Sequence, residues 1–293
     1  LASLAKNQIY LTIFFILVGG IMSLFLANRI SKPITALNEV VGKISKGELD
    51  TNVKKEKSSK ELSDLSSGIS IMKDNIREKI NDIQIINSSY ERFVPKEFLT
   101  LLQKKSITDV NIGDSTSLKM SVLFSDMRNF TSISENMSHQ ENFDFLNKYL
   151  ETMSPAINKN NGFIDKYIGD AVMALFPTSA EDSVAAAVGM IDGLKVFNAN
   201  RESGLGASVD MGVGIHIGQL ILGTIGEDSR METTVISDTV NASARLESLN
   251  KIYGTNILIS GSVRDELNEK TKKFCRIVDR TQVKGKTEFL DVH

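Results

Sequence analysis

Hydrophobic and polar positions fall into three successive patterns along the chain. From Ile9 to Ala27 no charge interrupts Ile-Tyr-Leu-Thr-Ile-Phe-Phe-Ile-Leu-Val-Gly-Gly-Ile-Met-Ser-Leu-Phe-Leu-Ala. Such a run matches the roughly 20 residues that cross a bilayer as a helix. It is long for the apolar region of a secretory signal and has no cleavage site of that kind. A buried core helix is the plainer alternative. Arg29, Lys32, Lys43 and Lys46 follow the run, against Lys6 before it, so its C-terminal side is expected in the cytoplasm.

The second pattern is a heptad. Ile30, Ile34, Leu37, Val41 and Ile44 alternate spacings of four and three, the seam of a coiled coil. Pro33 suits the first turn of that helix, and Gly47 its end. A polar connector over 48–60 leads to a second seam, Leu62, Leu65, Ile69, Met72 and Ile76. Two short helices joined this way are expected to pair in parallel. Each still needs a partner, so the pattern predicts a homodimer forming a four-helix bundle. The second seam continues through Lys79, Ile83, Ile86, Tyr90 and Phe93, which predicts an unbroken helix to Pro95. Lys79 on the seam reads either as a register change or as a side chain that reaches out to water.

Pro33 after the apolar run, the Gly47-x-Leu49 turn and the two heptad helices resemble a HAMP domain. That is the relay that follows a membrane helix in bacterial receptors. The resemblance covers about residues 28–80.

From about Leu118 the pattern becomes strand and helix by turns. Lys119–Asp126 reads as a buried strand ending in a carboxylate. Helices are expected over Phe130–Glu135, Asn142–Lys159, Ala180–Asn200, Asp238–Lys251 and Ser262–Asn268. Strands are expected within 162–176, Ser208–Thr224, Ile257–Ile259 and Phe274–Val292. Ile168-Gly169-Asp170 reads as a hairpin turn between two strands. The layout is α+β, one mixed sheet with helices packed on it, preceded by an all-α region.

Composition narrows the chemistry. The chain of 293 residues is 41% hydrophobic and 24% charged, with a net charge of -2, so no basic footprint for nucleic acid exists. One Cys excludes an internal disulfide and a Cys-based zinc site. The three His are scattered, so a metal must be held by oxygen, which favours Mg²⁺ or Mn²⁺. Asp126 and Asp170 end strands expected to be neighbours, and two such carboxylates suit a two-metal site for attack at phosphorus. The loop from Met127 through Phe130 to Thr131 enters a helix, so its N–H groups can meet phosphate. Asn241 and Arg245 share one helix face and offer an amide and a permanent cation. Lys284 lies between strand-like segments. Singly, each has an ordinary reading as a solvated turn or surface charge.

Together, Phe124-Ser-Asp126-Met-Arg-Asn-Phe130-Thr131, Asp165-Lys-Tyr-Ile-Gly-Asp170-Ala-Val-Met-Ala174 and Thr234-Val-Ile-Ser-Asp-Thr-Val-Asn241-Ala-Ser-Ala-Arg245 resemble the class III nucleotidyl cyclases. The lead-in Tyr90-Glu-Arg-Phe-Val-Pro95-Lys-Glu-Phe98 is similar to that of bacterial membrane-bound adenylate cyclases.

The resemblance implies that Asp126 and Asp170, helped by the Met127 carbonyl, bind two Mg²⁺ or Mn²⁺ ions per active site. It implies that Lys166 and Thr234 read the base, Asn241 orients the ribose, Arg245 stabilises the transition state, and Lys284 meets the terminal phosphates. Phe130 and Thr131 fall in the phosphate loop. It also implies a head-to-tail homodimer, with the Asp pair from one chain and the other side chains from its partner. Lys166 is a donor only and adenine N1 an acceptor, so ATP is favoured over GTP. Asn129 departs from the Gly or other small residue usual in that loop, which puts turnover in doubt.

The expected organisation is a transmembrane segment over 1–27, a HAMP domain over 28–80, a coiled-coil signalling helix over 81–94 and a cyclase domain over 95–293. The chain starts at Leu1 rather than Met. It is therefore read as the end of a longer inner-membrane receptor, with an extracytoplasmic sensor upstream. The expected activity is a signal-regulated adenylate cyclase. A guanylate cyclase or a silent cyclase-like module are the alternatives.

Overall fold

A computed structural model of the chain describes residues 2–55, 58–90, 92–135, 137–200, 208–227, 229–282 and 289–293. It divides into two units, Leu1–Tyr90 and Glu91–His293.

In the first unit, α1 (Ala2–Leu26) carries the apolar run, and every residue from Ile9 to Leu26 is exposed. The helix passes through a π-helical turn (Ala27–Ser31) into α2 (Lys32–Ser45) without a break. Over Ile9–Ser45 it is the one helix among the described residues long and apolar enough to cross a membrane. Pro33 stands in the first turn of α2, as expected, but that helix continues from α1 through the π turn instead of starting afresh. A proline inside a helix leaves the carbonyl four residues back, here that of Arg29, without its donor and crowds it. The wider π turn around Arg29 absorbs that defect.

The second heptad lies on α3 (Lys60–Tyr90). Leu37 and Ile44 join Leu62 and Ile69 in one buried cluster, with Val40, Leu49 and Val53 packed against it. The connector doubles back along α3. Lys73 Nζ donates to the Thr51 carbonyl at 3.5 Å, and Arg77 reaches the Leu49 carbonyl at 3.3 Å and the Asp50 carboxylate. The end of α2 thus lies beside the middle of α3, so the two helices run parallel. Ile34, Val41, Leu65, Met72 and Ile76 remain exposed.

Lys79 is 75% exposed with its Nζ 3.1 Å from Asp82, so it reaches water from an unbroken α-helix. The helix stops at Tyr90 and does not run to Pro95. Ser88 and Ser89 both donate side-chain hydrogen bonds to the Ile85 carbonyl, at 2.9 and 2.8 Å, and compete with the backbone there.

The second unit opens with α4 (Lys96–Leu101) after an extended Pro95. The order is then β1 (Ser115–Met127), α5 (Phe130–Ser134), α6 (His139–Lys159), β2 (Phe163–Ile168), β3 (Ala171–Phe176) and α7 (Ala180–Ala199). Next come β4 (Met211–Glu227), β5 (Arg230–Ile236), α8 (Asp238–Tyr253), β6 (Ile257–Ile259), α9 (Gly261–Glu266), α10 (Glu269–Lys272), β7 (Asp279–Gln282) and β8 (Phe289–Val292). The main sheet runs β2-β3-β1-β4-β5 with antiparallel pairs, and β6 adds in parallel to β4. That is the mixed α+β sheet expected. The strand-rich stretch does not end at Thr224, however: β4 runs on to Glu227 and returns as β5. Arg230, Met231 and Glu232 at the start of that return are exposed, so the arm lacks the apolar alternation that marks a strand.

β1 is buried on both faces because its side chains alternate between two clusters. Leu123 and Met127 pack with Tyr149, Met153 and Met190, while Met120 and Val122 pack with Phe98, Phe163 and Leu175. Helix α8 lies against β4 at glycines. A Cβ on Gly212 would stand 2.6 Å from Glu247 Oε1, and one on Gly214 would fall on backbone atoms of Ser243, Leu246 and Glu247. We expect Gly214→Ala to lift α8 from the sheet and to destabilise this unit by about 3 kcal/mol, the upper end for overpacking. Chemical denaturation reads this directly, and an unchanged midpoint would contradict it.

Candidate active site

Asp126 is the penultimate residue of β1, and Asp170 sits in the β2–β3 turn behind Gly169, whose φ of 64° suits the tight hairpin. β1 and β3 are neighbours, with Ser125 facing Val172. The register therefore brings the two carboxylates together. Asp170 Oδ2 accepts the Met127 backbone N–H at 3.2 Å, which ties the turn to the end of β1. Asp126 is pushed up to about 7, first by burial, then by the charge of Asp170 and a hydrogen bond with it, and further by Glu247. Two carboxylates this close cannot both ionise cheaply without a cation.

Glu247 is a third acid near the pair. Burial raises its pKa, and the charge of Asp170 adds to the shift. On α8 it is spaced by helical steps from buried Ser243 and Asn250, so its side of the helix faces β4. That helical spacing is the signal in the sequence that marks Glu247 as facing the sheet. Among the described residues no group of three or more His, Cys, Asp or Glu is arranged to hold a metal ion. Tyr149, on α6, is fully buried with its hydroxyl unpartnered, and burial together with the Asp170 and Asp126 charges raises its pKa strongly.

The loop after Asp126 is braced. Arg128 donates from its backbone to the Asp210 carbonyl at 2.8 Å and from Nη1 to Asp210 Oδ2 at 2.9 Å, and its Nη2 reaches the Thr255 carbonyl. Asn129 takes a left-handed conformation with φ 58°. Glycine fits there freely and asparagine is among the few other residues that tolerate it, so the departure at Asn129 preserves the turn. Phe130 is half-buried and stacks on Phe145 at 6.5 Å, and Thr131 is exposed at the start of α5.

Lys166 lies on β2 and Thr234 on β5, strands at opposite ends of the sheet order. Even so, Lys166 Nζ stands 3.2 Å from Glu232 Oε1, two residues from Thr234 and on the same strand face. Lys166 is also 3.7 Å from Asp165 Oδ2. Asp165 falls at an irregularity in β2, between pairs Ile164–Ala174 and Lys166–Met173, and its side chain is 2% exposed. Asn241 is exposed and Arg245 half-buried on α8, and neither has a hydrogen-bonding side-chain partner among the described residues. Lys284 lies outside the described residues.

The structure thus brings Asp126, Asp170 and Glu247 together at the end of β1, and carries Lys166 on β2 and Asn241 and Arg245 on α8 of the same unit. Adenylate and guanylate cyclase catalytic domains match residues 114–292, which include all of these positions. The chain belongs to the adenylate and guanylate cyclase family. A HAMP domain matches residues 25–78. The chain is 37% identical over 282 residues to an adenylate cyclase of Anabaena cylindrica, covering 94% of this chain and 56% of that protein. It therefore spans about half the length of that relative.

Two solved structures resemble the cyclase domain at 31% identity. The adenylyl cyclase CyaB from P. aeruginosa has a TM-score of 0.52, with 61% of this chain and 93% of that one covered. The guanylyl cyclase Cya2 has a TM-score of 0.53, with 61% and 91% covered. Overall likeness therefore does not choose the base.

Class III cyclases generally use divalent metals and work as dimers. The donor set here fits such an ion: it is all oxygen, half-buried and mutually repelling. The cyclase's pH response follows from the same repulsion. A carboxyl with a pKa near 4 unfolded and about 7 folded costs nothing below about pH 4, destabilises progressively as pH rises from there to about 7, and adds no further loss above it. Without metal, the melting temperature is expected to fall over that window, and Asp126→Asn to abolish the fall. Mn²⁺ at pH 8 should stabilise the parent and not the variant, which thermal scanning measures. A parent–variant difference independent of pH would contradict the assignment.

Proposed function

We propose that the chain is the catalytic part of a signal-regulated adenylate cyclase that makes 3′,5′-cyclic AMP and pyrophosphate from ATP at a homodimer interface. The observation that carries this is the Asp126–Asp170 pair, held beside each other in a fold that also presents Lys166, Asn241 and Arg245. Asp126 and Asp170 would hold two Mg²⁺ or Mn²⁺ ions, with the Met127 carbonyl assisting. When bound, those ions supply an activated 3′-hydroxyl and charge neutralisation on the leaving group.

The protein's own groups do the rest. The substrate's 3′-hydroxyl releases its proton to solvent as its oxygen bonds to the α-phosphorus, the bond from that phosphorus to the bridging oxygen of the β-phosphate breaks, and pyrophosphate leaves. Asn241 holds the ribose so that the 3′-oxygen lies in line. Arg245 meets the charge that develops on the phosphoryl oxygens. Lys284 and the N–H groups around Phe130 and Thr131 bind the other phosphates. Lys166 donates to adenine N1, and Thr234 meets the base edge. Guanine presents a protonated N1 to the same place, which a donor-only lysine disfavours.

Each chain carries two half-sites, the aspartates serving one substrate and Lys166, Asn241 and Arg245 the other. The exposed halves of the heptad seams supply the dimer contact in the first unit. Residues 1–27 would anchor the chain in a bacterial inner membrane, with the sensor outside, and 28–94 would relay its signal.

Purified protein with Mn²⁺ is expected to convert ATP to cyclic AMP in preference to GTP. Turnover of GTP without ATP would overturn the choice of base. Arg245→Ala is expected to lower kcat by roughly 100- to 1000-fold, the range for one lost transition-state donor. Co-expressing Asp170→Asn with Arg245→Ala tests the shared site. Random pairing gives half the dimers one intact site, so roughly a quarter of parent activity should return. No recovery would place each site within a single chain.

A further inference from the structure

Tyr149 lies in the middle of α6, fully buried, and its hydroxyl has no hydrogen-bond partner among the described residues. Its ring meets Phe197 edge-on at 5.8 Å and packs in the cluster that holds Leu123, Met127 and Val172. A phenylalanine would make the same ring contacts. The hydroxyl adds a polar group closed off from water, which costs stability unless something accepts its proton. The plain reading is a core tyrosine whose hydroxyl is tolerated. Its place in the fold argues for more. Met127 directly follows Asp126, and Val172 stands two residues after Asp170. The charges acting on the hydroxyl are those of Asp170 and, less strongly, Asp126.

The faces of the sheet decide which acid the hydroxyl can meet. Residues opposite each other on paired strands point to the same face. Asp126 pairs with Gly212, where a Cβ would run into Glu247 of α8, so Asp126 projects on the α8 side. Tyr149 comes from α6 on the other face, with Leu123 and Met127. Asp170 is in the β2–β3 turn, tied at 3.2 Å to the Met127 N–H that ends β1. It is the carboxylate open to both sides of the strand end.

We infer that Tyr149 is a positioning residue of the metal site, whose hydroxyl donates to the Asp170 carboxylate when a divalent ion holds it. The inference rests on the two-metal reading of Asp126 and Asp170 given above. Carboxylates that ligate a metal are themselves oriented by hydrogen bonds, and losing such a partner typically weakens metal binding by roughly 10- to 100-fold. Asp170 stands in a turn, where few elements restrain it, so a donor fixed in the core is the kind of support it lacks. The tyrosine thus costs the metal-free fold some stability and gives order to the metal-bound one.

The test uses the full chain in detergent with Mn²⁺ alone and reads metal binding rather than turnover. Tyr149→Phe should raise the melting temperature of the metal-free protein by roughly 2–4 °C. The same variant should bind Mn²⁺ about 10-fold more weakly, read from the free-ion signal in electron paramagnetic resonance. A merely structural tyrosine would not move the two in opposite senses. A second measurement needs no variant. The chain has five Tyr and no Trp, so its near-ultraviolet absorption reports tyrosine. Mn²⁺ should shift that absorption to the red in the parent, as a buried hydroxyl becomes a donor, and leave that of Tyr149→Phe unmoved.

A parent spectrum unchanged by bound Mn²⁺ would overturn the inference even if the variant failed to fold. Equal Mn²⁺ affinity in parent and variant, or a lower melting temperature for the metal-free variant, would also overturn it and leave Tyr149 as a core residue. A parent that binds no divalent ion would instead overturn the two-metal reading itself.

Discussion

Two acids, Asp126 and Asp170, set the constraint on which the catalytic unit depends. Burial and mutual repulsion raise the pKa of Asp126 to about 7. The fold accepts this cost because the geometry is over-determined. β1 and β3 pair through their central residues, the Gly169 turn is tight, and the Met127 N–H fixes Asp170. Arg128 then braces the following loop on Asp210 and Thr255. Several ordinary interactions thus hold one unfavourable pair together.

Close packing also sets the place of α8. Glycines of β4 let α8 approach so closely that Glu247 lies near the carboxylates while Asn241 is exposed. One helix therefore brings Glu247 towards the Asp126–Asp170 pair while leaving Asn241 open to solvent. In the first unit, α2 and α3 bury only part of each seam, and Ile34, Val41, Leu65, Met72 and Ile76 stay exposed.

The sites legible in the sequence were those marked by local rules. Gly169-Asp170 announced a hairpin, the Lys119–Asp126 run a buried strand, and Asn241 with Arg245 one helix face. Features that depended on length or distant partners were not legible. The β4–β5 arm was cut short at Thr224 because its exposed end has no apolar alternation. The helix expected to reach Pro95 ended at Tyr90, where Ser88 and Ser89 compete for the Ile85 carbonyl. Pro33 takes the first turn of α2, but the π turn at Ala27–Ser31 that joins this helix to α1 has no mark in the local pattern.

The sequence by itself determined the order of the parts: a membrane-length apolar helix, two heptads and a mixed sheet with strand-end aspartates. Each of these follows from periodicity within a short window. Only the tertiary structure decided which distant side chains meet. Glu232 and Lys166 lie on strands from opposite ends of the sheet order, and Glu247 comes to Asp126 across a helix–sheet contact. No local pattern encodes such meetings, because they arise from packing of whole elements rather than from spacing along the chain.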